Sequence, residues 1–324
     1  MEQLIKTRFT ERFAIDHPIM LAPMDLVSGG RLAAAVSRAG GLGLMGGGYG
    51  NADWLEQAFA DASNQSVGVG FITWSLMKQP KLIDLVLAHK PAAFMVSFGD
   101  GEEAIAAAKA ANVPTIWQIQ RLEHARQALA AEVDLIVVQG QEAGGHGMDR
   151  GLTALLPAVR GLSGPDQVII AAGGIADGRG LASALMLGAD GVMMGTRFWA
   201  SVEAEGSTVA KDGLVAATGD NTIRSKVFDV ARGVDWPWHF TGRVITNEFS
   251  RRWHDDIEGL KHDAEAERAR YLASDPDDYS VRVLIAGEAV DLVRSIDGAH
   301  AIVDRTVNES ARLLRNARTY TEKI

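Results

Sequence analysis

The side chain best placed by type and neighbours to move a proton is His146, in "VVQGQEAGGHGMDRG" (residues 137–151). That stretch opens as a β-strand and then sets Gly140, Gly144, Gly145 and Gly147 around one imidazole. An imidazole titrates near neutrality, so it can take a proton from carbon or hold an anion. Glycines let the backbone lie close against a neighbouring group, and they also make plain turns. Two further glycine groups come later in the chain. "AAGGIADGRG" supplies Gly173 and Gly174 ahead of a helix, and "VMMGTRF" supplies Met193, Met194, Gly195 and Thr196. Together these amides, with the Thr196 hydroxyl and the positive end of a helix, suit one phosphate without any lysine. Tight strand-to-helix turns are the competing use of the same glycines.

Other chemistries lack their residues. There is no cysteine, which excludes thiolate nucleophiles, thiolate metal sites and disulfides and fits a reducing compartment. No "HExxH" or "GxSxG" occurs, and "RRWHDD" reads as a polar helix face, so neither a metal centre nor a serine triad is expected. The other histidines, His17, His89, His124, His239, His254, His262 and His300, fall in strand starts, helix bodies or charged segments and read as structural or solvated. Glu142 either orients His146 or caps the next turn. Trp236, Trp238 and Phe240 either line a lid or fill a core.

The elements that must position these groups are short apolar runs alternating with Ala-rich helical segments between residue 18 and about residue 217. The runs are "PIMLAPM", "LGLMGG", "VGVGFIT", "AAFMVSF", "TIWQI", "LIVVQG", "VIIAAGG" and "GVMMGTRF". Nearly continuous apolar strands are buried on both faces, as in a parallel sheet. Eight such units predict an α/β fold of the (β/α)₈ TIM-barrel type. The helix in "DGRGLASALMLGAD" is the clearest, with Asp177 as its cap and Leu181, Ala184, Leu185 and Gly188 along one face. In such barrels the site forms at the C-terminal strand ends, and a phosphate is often held by the loops after strands seven and eight. Those are the two glycine loops. "GGLGLMGGGYG" follows a helix rather than the first strand, so a dinucleotide-binding Rossmann fold is rejected. A single phosphate over a barrel mouth fits flavin mononucleotide (FMN) or pyridoxal phosphate, and no predicted strand contains or ends in the lysine that pyridoxal needs.

From residue 218 the Gly-Ala rhythm stops. The expected organisation is a barrel over 1–217, a smaller, mainly helical additional domain over 218–280, and C-terminal helices over 281–324 packing back on the barrel. A net charge of −9 disfavours a nucleic-acid surface and points to a small-molecule substrate. With no apolar segment near the ~18 residues that span a bilayer and no signal-peptide pattern, no membrane association is expected and the cytoplasm is the expected location. The sequence leaves open whether the chain works alone or as a homodimer.

"LAPM", "QGQEAGGH", "AAGGIADGRG" and "MMGT", in that order, resemble the nitronate monooxygenase family, formerly the 2-nitropropane dioxygenases, FMN-dependent barrels related to flavin enoyl-ACP reductases. The resemblance covers the barrel. It implies FMN bound without a covalent link, its phosphate on Gly174 and the 193–196 turn. It implies Ala22, Pro23 and Met24 near the flavin ring, Gln139, Gly144 and Gly145 near the ring or ribityl chain, and Gln118 as a further polar contact. His146 takes the place of the family's histidine facing flavin and substrate. The implied reaction is oxidation of a nitroalkane or its nitronate by dioxygen to a carbonyl compound and nitrite. The related alternative is an NAD(P)H-dependent FMN reductase of quinones or an enoyl thioester. The chain departs from the family pattern at Gly70, at Met148 and at Asp25, where a small or amide residue is commoner.

Overall fold

The structure, a computed structural model, describes residues 5–320. Residues 1–4 and 321–324, at the ends of the expected first and last segments, lie outside the described residues. Eight parallel strands form the central sheet: Ile19–Leu21, Leu44–Gly48, Gly68–Ile72, Phe94–Ser97, Thr115–Ile119, Leu135–Gln139, Val168–Ala172 and Gly191–Met194. One lies in each apolar run expected from the sequence. The first strand pairs with the eighth, and Leu42 bridges Met20 to bring the second strand round to the first. The result is a TIM-barrel fold.

Alternation along the strands sorts the side chains. Met20, Met95, Ile116, Val137, Ile170 and Met193 fill the interior, while Leu21, Val96, Trp117, Val138 and Met194 face the surrounding helices. Both faces are buried, which is why the runs read as unbroken apolar sequence. Helix Arg8–Phe13 plugs the N-terminal end: Phe9 is fully buried in the interior cluster, worth about 1.5–3 kcal/mol. Arg8 pairs with Asp190 at 2.8 Å and Arg12 with Asp134, each acid standing just before a strand. The opposite end is left open for a site.

Beyond the eighth strand come helices Thr196–Trp199 and Thr208–Ala216. Strands Thr222–Ser225 and Thr241–Ile245 follow, flanking helix Val227–Arg232, and then three short helices, Glu248–Trp253, Ile257–His262 and Ala264–Ala273. Val227, Phe228, Phe249, Trp253, Leu260 and Tyr271 give this segment a core of its own. The sequence reading missed both strands, because "TIRS" and "TGRVI" are short and too polar to stand out. The first two of those helices are separated where Asp256 caps the second by accepting from the Gly259 amide at 2.9 Å. Helix Ala299–Asn316 packs back on Gly178–Met186 and Gly30–Arg38, so closely that a Cβ on Gly178 would lie 2.5 Å from the Ser310 nitrogen. Among the described residues no helix is long and apolar enough to cross a membrane.

Candidate active site

His146 does not lie on a loose loop. Gly145–Gly147 is a strand that pairs antiparallel with Thr241–Ile245, setting His146 opposite Gly242, and Thr241–Ile245 pairs in turn with Thr222–Ser225. The segment after the sixth barrel strand is thus completed by residues about a hundred positions later in the chain. Two arginines fasten it. Arg224 donates to the carbonyls of Gln141 (3.0 Å), Ala143 (3.2 Å) and Thr241 (2.6 Å), and Arg243 donates to Gln141 O at 3.1 Å while pairing with Glu288 at 2.7 Å. Burial pushes the Arg224 guanidinium down to about 10, with Arg243 adding to the effect. It remains charged near neutrality and so can spend its donors on backbone carbonyls. Glu142 accepts from the Leu152 amide at 3.0 Å and caps helix Leu152–Leu162, which leaves the orienting of His146 to another group.

That group is Asp229 on helix Val227–Arg232. Its carboxylate accepts from His146 Nε2 at 2.9 and 3.1 Å, and both side chains are close to fully buried. Trp236 lies flat on the imidazole, ring centres 3.5 Å apart and planes 6° apart, and its Nε1 donates to Tyr49 Oη at 2.8 Å. Gln139 donates to His146 O at 3.0 Å and accepts from Gln120 (2.9 Å) and Gln118 (3.3 Å), tying the strand to the barrel interior. Burial holds the imidazole below its ordinary value although Asp229 pulls the other way. The ring is therefore neutral near pH 7, with the hydrogen on Nε2 and the lone pair on Nδ1. Nδ1 makes no hydrogen bond to a described residue.

His146 borders a cavity of about 490 Å³ at the C-terminal strand ends. Ala22, Pro23, Met24, Gln118, Gln139, Gly144, Gly145, Gly173, Gly174, Met193, Gly195 and Thr196 line the same cavity. Met194 does not: strand alternation turns it outward into the helix-facing core. The seven other histidines are absent from the lining. Tyr49, Asp25, Arg232 and Trp236 also line it. Trp236 joins Phe240 and Met148 in an apolar cluster beside the site, whereas Trp238 is 63% exposed. Sequence reasoning missed Asp229, Arg232 and Tyr49. Asp229 and Arg232, three residues apart on one helix, share a face, but nothing in "VFDVARG" marks that face as turned to a histidine 83 residues earlier.

The two glycine loops border the same cavity. Gly173 and Gly174 adopt φ of +100° and +69°, a region that favours glycine, and a Cβ on Gly174 would come within 3.2 Å of Glu142 Cβ. Among the described residues, the amides of Gly174, Ile175 and Thr196 donate to no protein acceptor. The Thr196 hydroxyl accepts from the Gly287 amide at 3.0 Å, leaving its own hydrogen to give. Donors without acceptors beside a large, mainly apolar cavity fit a flavin phosphate and ring.

Comparison with known proteins adds an independent line. The pattern of the family described as nitronate monooxygenase matches residues 6–67 and 75–309. The chain is 36% identical to the nitronate monooxygenase npaC of Metarhizium robertsii over 91% of both chains. Among solved structures it resembles FabK from Thermotoga maritima, with a TM-score of 0.84, 28% identity and coverage of 98% and 99% of the two chains. It also resembles the nitroalkane oxidase of Streptomyces ansochromogenes, with a TM-score of 0.75, 26% identity and coverage of 94% and 98%.

Proposed function

The chain belongs to the nitronate monooxygenase family, and on that premise we propose that it oxidises alkyl nitronates and their parent nitroalkanes with dioxygen, releasing a carbonyl compound and nitrite. FMN is the proposed cofactor. Bound there, it would take up the electrons the substrate gives and pass them to dioxygen. The amides of Gly174, Ile175 and Thr196, with the Thr196 hydroxyl, are proposed to hold its phosphate, and Gln118 and Gln139 to offer polar contacts along the cavity.

The observation that carries the reading is the buried imidazole at the cavity wall, its Nε2 2.9 Å from the Asp229 carboxylate. His146 Nδ1 would take the proton from the carbon beside the nitro group. Asp229, accepting from Nε2, fixes the tautomer that leaves Nδ1 open and steadies the charge the ring gains. Trp236, Tyr49 and Phe98 cover the imidazole side of the cavity with apolar surface and limit the entry of water. A substrate that arrives already as the nitronate needs no base, and for it His146 only holds the anion.

Purified protein should carry, or take up, a flavin with its visible absorbance. Anaerobic addition of ethyl nitronate should bleach that absorbance, and admission of air should restore it with release of nitrite. A protein that stays colourless after addition of FMN sinks the reading. The second reading, an NAD(P)H-dependent FMN reductase of quinones or an enoyl thioester, draws on the likeness to FabK. Bleaching by NADH and not by the nitronate would select it.

A further inference from the structure

Asp25 lies just past the first barrel strand, partly buried in the cavity lining. Its carboxyl makes no hydrogen bond or ion pair with any described residue. The backbone is shaped around it: Gly48, at φ +50°, faces it so closely that a Cβ there would lie 1.8 Å from Asp25 Oδ1. Leu26, the next residue, is held at φ +55°, a conformation that costs a non-glycine side chain about 1 kcal/mol or more. A carboxyl that the fold makes room for and leaves unpartnered in a substrate cavity has its hydrogen-bonding capacity available to a ligand.

The other titratable and charged groups lining the cavity come from four segments, of which the one after helix Ala264–Ala273 brings Tyr279. Arg232 arrives on helix Val227–Arg232, its guanidinium 5.8 Å from the Tyr49 ring centre and without a carboxylate partner among the described residues. Tyr49 arrives on the turn after the second barrel strand, and burial holds its hydroxyl neutral. His146, backed by Asp229, arrives on the shared strand. With a neutral imidazole, the cavity lining changes from nearly balanced, Arg232 against an ionised Asp25, to net positive when Asp25 gains a proton.

We infer that Asp25 is a charge filter for the substrate: with its proton it donates a hydrogen bond to an anionic oxygen in the cavity, and without it the carboxylate repels that anion. The inference rests on the reading of this cavity as a nitronate site. Burial pushes the Asp25 carboxyl up to about 6, Arg232 pulling it the other way, so the filter acts within the neutral range. Linkage works in both directions: an anion that prefers the protonated carboxyl raises its proton affinity, so capture of the anion extends somewhat above that value. A neutral nitroalkane meets no such barrier. Asp25 therefore sets which ionic form of the substrate is selected at a given pH.

The test is kcat/KM for pre-formed ethyl nitronate between about pH 5 and about pH 8, together with calorimetric binding of nitrate to the FMN-loaded protein over the same range. Wild type should lose about tenfold or more in both as the pH rises. Asp25→Asn should flatten both profiles, and Asp25→Ser, which packs less, gives a second variant should the first fold poorly. A falling limb that persists in either variant assigns it to His146 and overturns the filter, as does a flat wild-type profile. If the nitronate is not turned over while nitrate binding shows the limb and Asp25→Asn removes it, the reaction assignment fails and the filter stands.

Discussion

Replacing His146 with Ala removes the only imidazole that, among the described residues, lines the cavity. We expect kcat/KM for neutral nitroethane to fall about 10²–10⁴-fold, the usual worth of a positioned base, while the pre-formed nitronate loses far less. Steady-state assays on both substrates check this, and an equal loss for both would remove His146 from proton abstraction. Asp229→Asn, which disturbs the tautomer while preserving size, should lower the neutral substrate's rate at least about tenfold. The residue chemistry also sets stability against pH. A carboxyl whose folded value, about 6, exceeds its ordinary 3.8 stabilises the fold while protonated, and that contribution is lost as the pH rises through about 6. Asp25→Asn should therefore stabilise the protein by on the order of 2–3 kcal/mol at about pH 8 and leave it unchanged at about pH 4, read from denaturant midpoints. His146 acts with the opposite sign: its folded value is depressed, so stability falls as the pH drops below about 6.5, where the unfolded chain takes up the proton first. His146 was legible in the sequence because its glycine neighbours are unusual. Asp229 was not, since a carboxylate on a short helix looks like any solvated acid until the fold brings it 2.9 Å from a ring nitrogen.

At the level of elements, the barrel strands were legible because burial on both faces writes itself as unbroken apolar sequence. The strands at 222–225 and 241–245 were not, because they carry Arg224 and Arg243 among few apolar residues, and over four or five positions that leaves no period to read. The glycine loops carried a clear signal for a different reason: two positive φ angles in succession at Gly173 and Gly174 admit few other residues. Gly174→Ala forces a side chain into that region, at about 1–2 kcal/mol, and presses its Cβ toward Glu142. The expected result is about a tenfold weaker FMN dissociation constant with the barrel's circular dichroism unchanged, measured by flavin fluorescence quenching. A variant that binds FMN as tightly as wild type would show that the loop is only a turn.

Over the whole molecule, we propose that residues 218–280 act as a unit that completes the site rather than merely decorating the barrel. Their core of Phe228, Phe249 and Tyr271 is separate from the barrel's, yet they supply Arg232, Trp236 and Tyr279 to its cavity and Asp229 to the imidazole at its wall. Weakening that core should cost activity before it costs the barrel. Phe249→Ala, a cavity mutation of about 3–5 kcal/mol, should open the segment locally, so that amide exchange at 145–147 and 241–245 accelerates together while the barrel strands stay protected. Independent exchange of the two segments would contradict the proposal. The boundaries of that unit were read from a change in composition, which tracks where an alternation of strands and helices ends. The contacts that make it necessary join residues too far apart in sequence for composition to reveal.

The pairing of His146 with Gly242 carries one more consequence, concerning chain length rather than residue identity. Side chains on a strand alternate between faces with a period of two, so sliding the pairing by a single residue would present the imidazole to the opposite side, away from both Asp229 and the cavity. Substitutions along Thr241–Ile245 can keep that alignment, whereas one residue added or lost there breaks it. Deletion of one residue from that segment should abolish turnover of neutral nitroalkanes even where the product folds and binds flavin. In the descent of such chains, length within this distant strand would be under stricter selection than its spelling.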